Sequence, residues 1–407
     1  MSQKGREAAA RGGAMLMPVY VPTALLAFGQ GLLVPTLPYY ANGLGASVAL
    51  IGFVVAAAGI GTLVADVPAG ALLGRVGRRP AMLLGAGLVA LSTFTASFFP
   101  SIVALILLRL LAGVGTALWG LSRHAYITDV VTPSQRGRSL SVFGGINRAG
   151  SLLAPVFGGV IGTAFGLGTV FAVSGLMAAL TAIIAFLYVP ETGQRTAVAG
   201  GHKVRWGLVA QLMRTHWRDL SAAGVAQIFA QMIRAGRQLL IPLYGLSLGL
   251  DPAVTGSIIS FAALLDVAMF FPAGFMMDRF GRKVAAVPSF TVMAIGMLIV
   301  AWSYDFRSLL LGAAIIGFGN GLGSGTMMTL GADLAPPGAV GEFLGFWRLI
   351  GDTGQSGGPL VVGAVAGAFG LFATALLLSG VGAASALTLA FLVRETRAAP
   401  VPATQGD

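Results

Sequence analysis

The sequence predicts an all-α membrane protein, about twelve transmembrane helices in two pseudo-symmetric halves of six. Three observations carry that expectation. The chain is too apolar for a water-soluble globule, since 56 % of its 407 residues are hydrophobic, 10 % are charged and its mean hydropathy is +0.86. A shift of 204 positions lays it over itself without a gap, so that Pro68, Ala69, Gly70, Arg75, Gly77 and Arg78 answer Pro272, Ala273, Gly274, Arg279, Gly281 and Arg282. The same shift pairs Pro38 with Pro242, Tyr40 with Tyr244, Gly52 with Gly256, Gly113 with Gly317, Asp129 with Asp333, Pro155 with Pro359, and Glu191 with Glu395. That period is too long for a solenoid. Finally, apolar stretches recur, each long enough to cross a hydrocarbon core of about 30 Å as a helix.

Those stretches run at 14–41, 47–73, 80–98, 102–128, 139–163 and 168–189, then at 219–247, 252–277, 284–303, 307–332, 342–367 and 371–393. They are spans 1 to 12 in that order. Residues 1–13 precede span 1 and are basic, which resembles the charge order of a secretory signal. The apolar run is too long and lacks a small-residue cleavage site, so it reads as a span. Residues 14–189 form the first half. Residues 190–218 are polar, basic and poorly periodic, and read as the linker between halves. Residues 219–393 form the second half and 394–407 a tail. Outward connections are brief, and Tyr39, Tyr40 and Tyr244 sit where an aromatic belt would lie.

The net charge of +11 would suggest nucleic acid in a soluble chain, but here the bases fall on alternate connections. Lys4, Arg6 and Arg11, then Arg75, Arg78 and Arg79, Arg136 and Arg138, the linker's Arg195, Lys203, Arg205, Arg214 and Arg218, then Arg279, Arg282 and Lys283, and last Arg394 and Arg397, mark one side. The opposite connections carry only Arg307. The rule that bases stay inside makes the first side cytoplasmic, with both termini on it. Few Lys against many Arg tilts the reading toward a bacterial inner membrane. There is no Cys and the three His lack ligand spacing, so no metal or disulfide is expected. No nucleophile elbow or phosphate loop is present, which argues against an enzyme, and no cofactor is expected.

Ionisable residues at membrane depth are costly and mark function. The acids are Asp66, Asp266 and Asp352; the bases are Arg109, Arg148, Arg234, Arg237 and Arg348, with Arg123 and His124 nearer the cytoplasmic end of span 4. This excess of bases favours an anion or zwitterion over a lipophilic cation. In span 7, Gln227, Gln231, Arg234 and Gln238 share one helical face and are expected to line a substrate cavity, with Gln30 of span 1 at the position matching Arg234. An interhelical hydrogen-bond zipper is the alternative. Span 5 stacks Asn147, Arg148, Ser151 and Pro155; span 11 stacks Arg348, Asp352, Ser356 and Pro359. Trp119 and Trp347 read as packing.

The run Gly274-Phe-Met-Met-Asp278-Arg279-Phe-Gly281-Arg282-Lys283 resembles the loop signature of the major facilitator superfamily, and Gly70 with Arg75, Gly77 and Arg78 resembles its first copy. Gly74 stands where that family usually has Asp. Gly29, Pro35 and Pro38 in span 1, Arg109, Gly113 and Gly115 in span 4, and Gly145, Ala154, Pro155, Gly158 and Gly159 in span 5 resemble the twelve-helix drug and proton antiporter branch. The resemblance implies the major facilitator fold, alternating access around a midplane cavity, a small-molecule substrate, protons as coupling ion, and a monomer. It sets span 5 against span 8 and span 2 against span 11. Arg148 would then meet Asp266, and Asp66 would meet Arg348 or Asp352, as bridges that close the cytoplasmic side until a proton releases them. Permanent structural pairs are the alternative. The loop arginines could pair with Asp129 and Asp333. Arg109 would bind an anionic group, steer the proton site, or pack against carbonyls. The expected function is proton-coupled efflux of a small amphipathic or anionic compound, with a role in multidrug resistance left open. The alternatives are uptake or facilitated diffusion of an organic anion, metabolite or lysolipid, and a non-transporting membrane sensor or binding protein.

Overall fold

The computed structural model describes residues 15–130, 145, 146, 148–150, 152–191, 217–335 and 340–396. In hydrocarbon, unpaired backbone groups are too costly, so each apolar stretch closes its hydrogen bonds internally as a helix; no strand occurs among the described residues. Span 1 is Val21–Gly43, entered through a π turn at Leu16–Tyr20. Spans 2, 3 and 4 are Val48–Val76, Arg78–Thr95 and Ile102–Val130. Span 5 straightens into Ala154–Phe165, with Pro155 in its first turn, and span 6 is Leu167–Tyr188.

In the second half, span 7 is Trp217–Ser247 and span 9 is Arg282–Ala301. Span 8 is broken at Met269 into Pro252–Ala268 and Phe270–Phe280. Span 10 is broken around Gly325, which has φ +78°, into Phe306–Leu322 and Thr326–Asp333. Spans 11 and 12 share one stretch, Val340–Leu387, that turns at Gly370 (φ 84°, ψ 171°). Among the described residues, nine stretches are long and apolar enough to cross a membrane, and the longest, Phe343–Leu392, holds two spans. Arg78–Thr95 and Trp217–Ser247, diluted by polar residues, complete the twelve.

The repeat extends to helix caps. Ser47 Oγ accepts from Leu50 N at 3.3 Å, and at the matching position Asp251 Oδ1 accepts from Val254 N at 2.9 Å. Asp305 caps span 10 by accepting from Ser308 N at 2.9 Å, and hydrogen bonds from Ser308 hold its carboxyl below the usual range. The three tyrosines do not form a plain belt. Tyr40 and Tyr244 donate to Ala96 O and Ala301 O, both at 3.3 Å, and Tyr244 is 5 % exposed. Tyr39 donates to Leu250 O at 2.8 Å and so ties the two halves.

The halves meet on two seams, span 2 on span 11 and span 5 on span 8. Each seam has the same construction at the end away from the basic loops. Gly52 abuts the Pro359 carbonyl and Gly363; Gly256 abuts the Pro155 carbonyl, and Gly159 abuts that of Pro252. A side chain at these glycines would hold the helices apart. Toward the basic end the seams part. A Cβ at Gly70 or Gly274 would meet nothing within 4 Å, and Val67 and Phe271 are each 83 % exposed.

Both basic loops fold into one clamp made twice. Arg78 Nε lies 3.0 Å from Asp129 Oδ2, and Arg282 Nε 2.8 Å from Asp333 Oδ2. Glu191 accepts from Arg78 N and Arg79 N at 3.0 and 3.2 Å; Glu395 accepts from Arg282 N and Lys283 N at 2.9 and 3.0 Å. A carboxylate thus caps the helix N-terminus in each half, where the dipole favours it. The turn before it is Gly77 at φ +94° or Gly281 at φ +109°. A Cβ on Gly281 would lie 2.7 Å from Glu395 Oε2. Gly281→Ala should therefore lower the thermal midpoint of the purified protein through backbone strain of about 1–3 kcal/mol and loss of the cap. Gly274→Ala, with open space around it, should leave the midpoint nearly unchanged.

Candidate functional site

Between the halves lies a cavity of about 390 Å³. Its walls are mainly aliphatic, from spans 1, 2, 3, 4, 6, 7 and 11. The polar lining is Gln30, Thr62, Thr93, Thr116, Ser174, Gln238, Gln355 and Ser356, all neutral, with Arg109 the one charge among the described lining residues. Gln30 Nε2 donates weakly to Thr116 Oγ1 at 3.5 Å, and Thr116 donates back to Ala112 O at 2.9 Å. Arg109 Nε is shielded and has no hydrogen-bond partner.

Beside the cavity, Asp266 gathers donors from three spans. Arg148 Nη1 of span 5 is 3.1 Å from Oδ1, while Asn320 Nδ2 of span 10 and Arg237 Nη2 of span 7 lie 2.6 and 3.6 Å from Oδ2. The Arg148 guanidinium also stacks 5.1 Å from the Phe270 ring centroid. The pair joins the halves, yet it is made while the basic ends are apart. The expected Arg148–Asp266 pair is thus present across the seam, near the middle of span 8.

The second expected bridge differs. Arg348 Nε pairs along its own helix with Asp352 Oδ2 at 3.5 Å, and Asp66 Oδ1 has no hydrogen-bond partner. The reason is geometric. Four-residue spacing holds Arg348 and Asp352 together on one face, while spans 2 and 11 diverge beyond the Gly59–Ser356 contact. Nearby, Arg123 stacks over Trp119, and His124 Nδ1 lies 2.7 Å from Gly120 O.

The span 7 stripe splits. Gln238 lines the cavity with Gln30. Gln227 and Gln231 instead abut Gly351 of span 11. Arg234 donates at 2.8 Å to Gly323 O, a carbonyl at the break in span 10 that also accepts from Thr326 Oγ1 at 2.8 Å, and stacks 5.2 Å over Phe290. These three are not among the lining residues. Asn147 and Ser151 lie outside the described residues. In span 5, Ala154 is buried, Gly158 packs on the Leu32 carbonyl, and Gly145 has nothing within 4 Å of a Cβ. In the loop signature, Arg279 stacks on Phe275 and Phe280, while Arg75 and Asp278 make no ion pair among the described residues. Trp119 and Trp347 are 1 % and 2 % exposed, and Trp347 Nε1 donates to Met327 O.

Sequence reasoning missed Gln355, Thr116 and Asn320. A signal existed for the last two, because Asn320 stands at the position matching Thr116, a polar pair inside otherwise apolar spans.

A family model described as the Major Facilitator Superfamily matches residues 20–235 and again 223–407. The chain is 21 % identical over 355 residues, 87 % of its length and 91 % of the relative's, to an uncharacterised transporter of this superfamily type from Methanocaldococcus jannaschii. It is 26 % identical to the multidrug resistance protein MdtL of Shewanella oneidensis, over 79 % of this chain and 84 % of that one. The solved structure of the nucleoside transporter NupG shares the fold, with TM-score 0.73 at 15 % identity over 93 % of this chain and 98 % of that one.

Because Asp266 is the counter-charge of two arginines, Asp266→Asn should lower stability by about 3–5 kcal/mol, the usual loss on breaking a buried pair. Arg148→Gln should lose less, since Asn320 and Arg237 still hold the carboxylate. Thermal unfolding of the two purified variants orders them.

Proposed function

Because the chain belongs to the Major Facilitator Superfamily, whose model covers both halves, it is a membrane transporter, and we propose that it exports a small amphipathic or anionic compound in exchange for protons by alternating access. The observation that supports this most is the seam. The halves touch through backbone at one end, part at the basic end, and line a cavity between them. In this reading the basic ends and both termini face the cytoplasm of a bacterial inner membrane, and the described conformation opens inward. One chain encloses its own cavity, so a monomer suffices.

Export is favoured by the likeness to MdtL, a protein named for multidrug resistance. A cavity with one base and no acid among its described lining residues disfavours a lipophilic cation. The coupling role falls to the two membrane acids. A proton on Asp266 removes the charge that holds Arg148 across the seam, and a proton on Asp66 removes the charge of a carboxylate whose Oδ1 has no partner. Either step lowers the cost of moving one half against the other.

Purified protein in liposomes with an internal pH dye, challenged with anionic, neutral and cationic compounds, tests the reading. Substrate-driven proton movement that is lost in both Asp66→Asn and Asp266→Asn is the expected result. Compound flux with no proton movement would replace exchange by facilitated diffusion or uptake of an organic anion. Normal coupling in both variants would remove the two acids from the mechanism.

A further inference from the structure

Arg109 is the one group in the cavity that the architecture does not account for. The other membrane arginines near it are engaged: Arg148 and Arg237 with Asp266, Arg234 with Gly323 O, Arg348 with Asp352. Arg109 forms no ion pair or hydrogen bond among the described residues. Nor does packing require it. The matching position in the second half is Ala313, fully buried in an equivalent helix. A guanidinium in a low-dielectric site without a counter-charge is costly. The chain bears that cost at a cavity wall, beside Thr116 and Gln30 and facing Gln355 and Ser356 of the other half.

We infer that Arg109 is the docking point for the negative charge of the transported compound, which is an amphipathic organic monoanion such as an aromatic or aliphatic carboxylate. This rests on the transport reading and narrows its substrate class. Arg109 stands seven residues from the start of Ile102–Val130, about 10 Å below the closed end at 1.5 Å per residue. The acid group therefore enters first and sits deep. The apolar body lies against Leu26, Val34, Val55 and Val89, and neutral amides and hydroxyls take any further polar groups. One anion neutralises the site, whereas a dianion leaves an uncompensated charge and a cation sets two positive charges together. A cavity of about 390 Å³ admits a small molecule and excludes a large polyanion.

The test uses thermal unfolding of the full-length protein in detergent with three probes of like shape: salicylate, its neutral amide salicylamide, and benzyltrimethylammonium. A ligand that binds only the folded state raises the midpoint by mass action. Salicylate should stabilise wild type, and the amide and the cation should not. Arg109→Gln should weaken the salicylate effect about tenfold or more, as loss of a charge-assisted contact does, and Arg109→Lys should restore part of it. Without ligand, Arg109→Gln should melt no lower than wild type, because an unpaired charge has been removed. Three results would overturn the inference: equal stabilisation by the amide, no stabilisation by salicylate, or an Arg109→Gln protein that unfolds early without ligand. The transport reading is judged separately, since binding that persists with no flux in liposomes sinks transport and leaves the anion site standing.

Discussion

Within hydrocarbon a polar group has no water to return to, and this constraint orders the molecule from backbone to site. Hydroxyls turn back onto their own helices, as Thr23 does on Val19 O and Thr36 on Leu32 O. Where span 10 breaks, Arg234 and Thr326 both donate to Gly323 O. The carboxylate of Asp266 draws donors from spans 5, 7 and 10. Arg109 departs from that pattern, which is why a function that supplies its missing partner is assigned there and not to the better-satisfied arginines.

The duplication separates scaffold from chemistry. What both halves keep is mechanical: the clamps Arg78–Asp129–Glu191 and Arg282–Asp333–Glu395, the caps Ser47 and Asp251, and the backbone contacts of Gly52 with Pro359 and Gly256 with Pro155. What the halves do not share is ionic. Thr62 matches Asp266, Gln30 matches Arg234, Arg109 matches Ala313, and Arg148 matches Asp352 with its charge reversed. Two copies can close around one site while only one of them offers a given charge to it. The cavity is therefore asymmetric although its frame is not.

The frame was legible because it rests on local rules. Hydrophobic length gave the twelve spans, and the fixed offset gave the pairing of halves. Arg78 with Asp129 could be placed because a turn and a helix end fix both residues. Arg148 with Asp266 followed from depth along two helices that the resemblance to the superfamily sets face to face. The site was less legible, since periodicity says which residues share a face but not what that face meets. Gln227, Gln231, Arg234 and Gln238 do lie on one side of span 7, yet that side borders span 11, then the break in span 10, then the cavity. The break itself, at Gly325, was not foreseen, and without it Arg234 has no carbonyl to reach. Arg348 was misassigned because depth matching ignored the cheaper partner four residues away on its own helix.

The placement of these contacts also says how the halves can exchange positions. At the closed end they are held by glycine against carbonyl and by the Tyr39 hydroxyl on Leu250 O. Such contacts are short-ranged and leave few groups stranded when separated, since a hydroxyl or carbonyl exposed to an opening cavity is rehydrated. An ion pair at that end would leave two charges seeking new partners. The strong bond is instead at mid depth, where Arg148 and Asp266 lie close to the level about which a rocking motion moves atoms least. A tie there can keep the halves in register while their ends separate. It also puts the residue whose charge sets the strength of the tie in one cluster with Arg237 and Asn320.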